Sequence, residues 1–501
     1  MNQEYKMSRK AQATNLPESS PAADRPFQAA GAIAILVTVC VAQFMLLVDD
    51  TIVNVALPSI AADMNLSEAD LSWIPNAYLL MFGGFLLIGG RMADLLGRRR
   101  VFQISMGSFV LASIIAGLAQ SSEVLIGARG AQGLAGAFMS PAALSILLAT
   151  FTAEKERTRA LAAWSSLTAL GAATGLLLGG ALTELVDWSW IFWINLPIGI
   201  AAMVAAARYV PVGGRHELAR APGLSSALLG TAALLTFVYT IVETAANPWT
   251  SARTVGGFAI SALLAIAFLV SESRSSEPLV PVAVIKRPNI SLGNVYMFLA
   301  AAGLLAMFFF VTLYMQNVLG YSPFKAGAAW LPFSITLGIF SGITAKLIER
   351  FSAIPFLTIG ALVATAGMLQ IAQIDAQSGY LTTLVPAFVT VAAGFGLAFV
   401  PILGIATGGV EQRNSGIASG LLTSSQQIGG AVGIAVLVTI ATTTTNNEMA
   451  LGAERLDALV NGFHAAFYVQ TGILAAAAIV GLLIGVFARE SGKLEGLPVP
   501  A

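Results

Sequence analysis

Fourteen apolar runs, most of about twenty residues or more, constrain this chain more than anything else in its sequence. They lie roughly at 31–57, 71–90, 101–119, 124–150, 159–183, 190–209, 223–243, 254–271, 290–317, 326–347, 354–374, 382–408, 415–442 and 464–488. About twenty apolar residues cross the hydrocarbon core as a helix. With no water there to satisfy open backbone groups, helices or closed barrels are the spanning solutions. An all-α membrane protein with about 14 transmembrane helices is expected. Composition agrees: 10% of residues are charged, against about 25% in a soluble domain, and the mean hydropathy is +0.80.

Charge orients the runs. With the N-terminus inside, of the 26 Lys and Arg residues only Arg253, Lys325 and Arg455 fall outside and only Arg129 lies within a span. Cytoplasmic loops collect Lys and Arg in this way, so both termini are expected in the cytoplasm. Residues 1–28 are polar and rich in Pro, Ser and Ala, and the first apolar run is too long for a signal h-region; a disordered cytoplasmic tail is expected there, and residues 491–501 are expected to form a cytoplasmic tail. The formal net charge of zero argues against a nucleic-acid partner. One cysteine, Cys40, and two histidines, His216 and His464, leave little for a disulfide framework or a metal site. Neither a metal nor a cofactor is expected.

Six runs precede and six follow a segment, 211–285, whose charged connectors flank two more runs. The expected plan is a six-helix bundle over 29–210, an insert of two helices over 211–285, and a second six-helix bundle over 286–490. Each half carries a Gly-rich helix at a similar place, GAATGLLLGG (171–180) and GIASGLLTSSQQIGG (416–430). Such faint internal repetition suits a transporter built from two related bundles.

Several residues stand out against this background. LLVDDTIVNVALP (46–58) places Asp49 and Asp50 inside the first run. Carboxylates at that depth are costly and are paired, protonated or turned to water. Adjacent helical residues point about 100° apart, so the two acids cannot share one cavity squarely; periodicity sets Asp50 in a stripe with Gln43 and Asn54. Taking the first helix to end at Pro58, Asp49 lies about 13 Å and Arg129 about 9 Å below the outer surface. They are placed to pair, with Gln132 one turn from Arg129; a structural ion pair is the plain alternative to a functional one. GRMADLLGRRRV (90–101) sets Asp94 among Arg98, Arg99 and Arg100, with Gly90 and Gly97 placed to permit a tight reversal. Gly171, Gly175 and Gly179 line one helix face, which most often means close packing. Tyr314, Gln316, Trp330, Gln370, Gln426 and Gln427 hint, as a set, at a pocket for a lipophilic ligand.

Together these motifs resemble the major facilitator superfamily, specifically its fourteen-helix drug:proton antiporter family, over about 30–490. VDDTIVNVALP resembles the first-helix motif LDxTIVNVALP with Asp49 at the acid; GRMADLLGRRR resembles the loop motif; LIGARGAQGLAGA resembles the fourth-helix motif with Arg129 at the arginine. WSWIFWINLPIG (188–199) and LYMQNVLGYSPFKAGAAWLP (313–332) are further family-like stretches. The resemblance implies proton-coupled export of lipophilic drugs or antibiotics across the bacterial cytoplasmic membrane by alternating access, driven by the proton gradient, in a protein working as a monomer. It implies proton coupling by Asp49 with Arg129, while the stripe favours Asp50. It also implies a cytoplasmic latch of Asp94 and the loop arginines near the helix opening RNSGIASG (413–420). An antiporter-motif helix carrying Gly171, Gly175, Gly179 and Gly180 follows too, although Leu176 stands where that motif has proline. Asn54, Gln132, Tyr314, Gln316, Trp330 and Gln426 are the candidate substrate-cavity residues. Two core acids suit a monovalent lipophilic cation, and neutral antibiotics or a self-made metabolite fit as well. A symporter or facilitator importing a metabolite is the alternative, and an enzyme lacks any convincing acid/base pair.

Overall fold

The computed structural model describes residues 25–212, 223–244, 247–275, 278–279, 281–408 and 415–491. The expected tails therefore lie largely outside the described residues, although helix already begins at Arg25 and continues to Ser491. Among the described residues there is no β-strand.

Among the described residues, fourteen helices are long and apolar enough to cross a membrane: α1 Gly31–Met64, α2 Glu68–Ala93, α3 Arg98–Gly117, α4 Ser122–Thr150, α5 Lys155–Leu185, α6 Trp190–Tyr209, α7 Leu224–Glu243, α8 Ala252–Arg274, α9 Pro288–Val318, α10 Pro323–Leu347, α11 Ala353–Ile371, α12 Tyr380–Thr407, α13 Gly416–Ala450 and α14 Arg455–Phe487. The even number returns the chain to the side on which it starts; that side is called the termini side, and the opposite one the far side.

The first helix corrects an expectation. Pro58 does not end it, because the helix that includes α1 runs on to Met64 with Pro58 inside. A proline removes one backbone hydrogen bond, a loss that neighbouring helices in a membrane bundle can offset. Asp49 thus sits about 22 Å from the far end of its helix, deeper than the expected 13 Å.

The two halves repeat one packing scheme. In the first, α1 packs on α5 and α6, α2 on α4, and α3 on α4 and α6; in the second, α9 packs on α13 and α14, α10 on α12, and α11 on α12 and α14. Missing side chains make the close crossings possible. A Cβ on Gly175 would lie 1.9 Å from Thr51 Oγ1 and one on Gly179 2.6 Å from the Ile52 carbonyl, so α5 presses its glycines onto α1. Likewise a Cβ on Gly429 or Gly433 would strike the Phe298 or Ala302 carbonyl of α9. Small residues let membrane helices approach this closely and gain dispersion contact.

Between the halves, α2 meets α13 and α5 meets α10. The inserted α7 lies against both α2 and α13. Thr231 of α7 fills the space left by Gly84, and the Thr439 hydroxyl donates to the Ile241 carbonyl at 2.9 Å. By contrast α8 packs mainly on α7 and turns Val255, Ile260, Leu263, Ile266 and Leu269 outward, which is the face a lipid-exposed helix presents.

Candidate functional site

The centre of the first bundle holds an ion pair with no open surface. Arg129 Nη1 donates to Asp49 Oδ2 at 2.5 Å, with the two side chains 1% and 0% exposed. The same nitrogen donates to Gln132 Oε1 at 2.9 Å, and Arg129 Nε reaches the Ile74 carbonyl at 3.4 Å. The other carboxylate oxygen, Asp49 Oδ1, accepts from Gln132 Nε2 at 3.0 Å and from Asn195 Nδ2 at 2.7 Å. Ser113 Oγ completes the group, accepting from Gln132 at 2.8 Å and Asn195 at 3.3 Å while donating to the Phe109 carbonyl. The guanidinium stacks 4.4 Å from the Tyr78 ring centre.

Four helices, α1, α3, α4 and α6, thereby converge on one carboxylate. In a low-dielectric interior a charge pair persists when its remaining lone pairs and protons are satisfied. Both oxygens of Asp49 are engaged in this way, and the charges of the pair cancel. Sequence reasoning anticipated Asp49, Arg129 and Gln132 but missed Ser113 and Asn195. An asparagine inside WSWIFWINLPIG was the available signal, since an amide in an apolar run needs a partner. Asn195→Ala removes a donor to Asp49 and is expected to cost about 1–3 kcal/mol, read as a lowered thermal midpoint of the purified protein.

Asp50 has the opposite environment. It is partly exposed, as are Gln43, Leu47 and Asn54, which share its face of α1. Its carboxylate accepts no hydrogen bond and makes no ion pair among the described residues. Asn54 Nδ2 donates to the Asp50 backbone carbonyl at 3.2 Å, and Gln43 accepts from the Ser140 hydroxyl of α4 at 2.9 Å.

On the far side the two bundles close on each other. A Cβ on Gly180 would lie 2.5 Å from the Pro323 carbonyl, and one on Gly327 2.3 Å from the Leu176 carbonyl. Leu176, at the position of the motif proline, is thus itself part of the α5–α10 contact. Glu184 Oε2 accepts from the Phe324 amide at 2.9 Å, and Gln316 Nε2 of α9 donates to the Val55 carbonyl of α1 at 2.8 Å.

Other expected site residues fall elsewhere. Trp330 is fully buried, stacked on Phe388 with ring centres 4.7 Å apart and donating to Thr312 Oγ1 at 3.2 Å. Tyr314 is fully buried as well, its hydroxyl donating to the Asp375 carbonyl at 2.5 Å. Gln132, with 0% exposure, serves the ion pair. In this structure all three lie in the packed interior, with each polar atom named hydrogen-bonded inside a bundle. Asn54, Gln316 and Gln426 keep partial exposure, Gln427 packs against Gly83 of α2, and Gln370 is exposed on α11.

In the loop motif, Gly97 has φ 93° and joins α2 to α3, a conformation glycine adopts without strain. Gly90 is corrected: it lies inside the helix Glu68–Leu96 and makes no turn. Arg99 donates to the Ala207 and Val210 carbonyls at 2.7 and 2.9 Å, covering the last carbonyls of α6. Arg98 is exposed at the start of α3. The Asp94 side chain and residues 409–414 lie outside the described residues, as does the expected latch between them. Among the described residues no group of His, Cys, Asp and Glu is arranged to hold a metal.

Two repeated six-helix bundles that close against each other, with charges buried between membrane helices, define a transporter. The family model described as Major Facilitator Superfamily matches residues 39–434, and the chain belongs to that superfamily. It is 34% identical over 456 residues to the puromycin resistance protein of Streptomyces alboniger, covering 90% of each chain. With the cephamycin export protein CmcT of Amycolatopsis lactamdurans it shares 35% identity, covering 83% of this chain and 86% of that one. With the tetracenomycin C resistance and export protein of Streptomyces glaucescens it shares 33%, covering 80% and 74%. The POT family transporter PepTSo has the same fold, with a TM-score of 0.65 at 12% identity over 92% of this chain and 98% of that one. The protein is a multi-pass membrane transporter of this superfamily and not an enzyme.

Proposed function

We propose that the protein is a proton-coupled antiporter that exports lipophilic antibiotics across the bacterial cytoplasmic membrane by alternating access, with both termini in the cytoplasm. The Lys and Arg bias supports that orientation, and relatives named for antibiotic resistance and export support the cargo. The observation that carries the reading is the sealed Asp49–Arg129 pair in a transporter closed on its far side. Opening the far side would let water reach the first bundle, so that a proton on Asp49 loosens its hold on Arg129. Return to the closed form would deliver that proton inward as the pair re-forms. The proton gradient then supplies the energy, and neither cofactor nor metal is required; the working unit is a monomer in membrane lipid.

Loading experiments in inside-out vesicles test the direction. Respiration is expected to drive accumulation of a lipophilic antibiotic, and a protonophore to abolish it. Proton-driven depletion of the drug would overturn export and support symport of a metabolite into the cell.

A further inference from the structure

Positions 236, 239, 240 and 243 share one face of α7, and 253, 256, 257 and 260 share one face of α8. These faces border a cavity of about 350 Å³ at the far-side end of the inserted pair, lined by Thr236, Tyr239, Glu243, Arg253, Gly256 and Ile260 among others. We infer that this groove binds one zwitterionic phospholipid of the far-side leaflet, its phosphate on Arg253 and a primary-amine headgroup on Glu243. The site lies on the lipid-facing insert, so the inference is independent of the cargo and of the coupling ion.

Two adjacent glycines shape the groove. A Cβ on Gly257 would lie 2.3 Å from Thr240 Oγ1, so this glycine lets α8 press onto α7, whereas a Cβ on Gly256 would meet nothing within 4 Å. One glycine draws the helices together and the other leaves a slot beside the contact. Ile260 is exposed along that slot and lies eight residues from the start of α8, about 12 Å along its axis. The slot therefore runs from the helix ends to the depth of the acyl chains. Exposed Tyr239 on its wall and exposed Trp249 in the turn between the helices are residues of the type that sit at headgroup level.

At the mouth the two charges are held in place with half of their bonding capacity open. Glu243 Oε2 accepts from Arg253 Nη2 at 3.2 Å and from Asn247 Nδ2 at 3.1 Å. Arg253 Nη2 also donates to the Tyr239 hydroxyl at 2.6 Å. These bonds all converge on one carboxylate oxygen and one guanidinium nitrogen. Glu243 Oε1 and Arg253 Nε and Nη1 make no hydrogen bond among the described residues, and the side chains keep 27% and 62% exposure. Open donors beside an open anionic acceptor match a phosphate beside an ammonium. Guanidinium N–H groups bind phosphate oxygens strongly, and Glu243 Oε1 accepts from a primary ammonium. A choline headgroup has no N–H to donate, and a glycerol headgroup sets a net negative charge against Glu243. The pattern selects phosphoethanolamine.

The test uses purified full-length protein, delipidated in detergent and offered phosphatidylethanolamine, phosphatidylcholine or phosphatidylglycerol with identical acyl chains. Native mass spectrometry counts the lipid retained. Wild type is expected to retain one phosphatidylethanolamine about tenfold more strongly than either other lipid. Glu243→Ala is expected to erase that preference, and Arg253→Gln to weaken all three lipids, since each carries a phosphate. Breaking a partly exposed ion pair costs little stability. Gly256→Leu fills the slot without meeting another atom of the protein, so it is expected to weaken all three by about tenfold without lowering the thermal midpoint. It decides the matter even if a charge variant proves unstable. Equal retention of the three lipids by wild type, stronger retention of phosphatidylglycerol, a preference that survives Glu243→Ala, or unchanged retention in Gly256→Leu would each overturn the inference.

Discussion

Arg129→Ala is expected to abolish proton-driven export and to destabilise the protein by about 3–5 kcal/mol, because Asp49 stays buried after losing its counter-charge. No solvent reaches the site, with Asp49 0% and Arg129 1% exposed, so water cannot substitute for the guanidinium. Arg129→Lys should recover part of the stability only. A single ammonium can hold Asp49, but it lacks the planar fork that also reaches Gln132 and the Ile74 carbonyl. The double variant Asp49→Asn with Arg129→Gln separates structure from function. Replacing both charges removes the unpaired-ion penalty, so its thermal midpoint should approach that of wild type while export remains absent. Thermal unfolding of purified protein and drug accumulation in vesicles read the two effects. Near-normal export by Arg129→Ala would leave the pair without the role proposed for it.

Gly327→Leu is expected to shift the protein away from the far-side-closed form. A Cβ there already lies 2.3 Å from the Leu176 carbonyl, and backbone on an opposing helix cannot yield as a flexible side chain can. Overpacking of this kind costs about 1–3 kcal/mol. Because the cost falls on one of two alternating forms, it converts to about 5- to 150-fold in their ratio. Gly175→Leu serves as the contrast: Gly175 packs against α1 inside the same bundle, a contact that rigid-body rocking preserves, so that change should lower stability without biasing the two forms. Spin-label distances between the far ends of α5 and α10 distinguish the cases. An unchanged distance distribution in Gly327→Leu would show that this crossing does not set the equilibrium.

Much of the architecture was legible because its cause is one-dimensional. Spans of hydrophobic residues must be about as long as the bilayer is thick, and the fourteen runs reappear as fourteen helices. The error at Pro58 came from treating proline as a terminator; inside a bundle the helix continues through it to Met64. The Gly171, Gly175 and Gly179 stripe was legible as packing, but its partner α1 was not, since spacing gives a face without saying what covers it. The ion pair could be read from two charges at similar depth, whereas Ser113 and Asn195 could not, because serine and asparagine occur singly in many membrane helices. Trp330 and Tyr314 were ambiguous for a related reason: an aromatic ring with a polar tip suits a pocket wall and a satisfied core position equally, and in this structure both are buried with hydrogen bonds to Thr312 and Asp375. The 100° between Asp49 and Asp50 was readable from helical geometry; which one is sealed depended on residues far away in sequence.

The central claim, antiport with Asp49 as the coupling acid, is tested most directly in inside-out vesicles holding a respiration-driven proton gradient. A pH-sensitive dye reports the gradient while a lipophilic antibiotic is added to wild type and to Asp49→Asn. The account predicts that the drug discharges the gradient in wild type and leaves it intact in the variant. Equal discharge in both would contradict it, placing the coupling proton on another group.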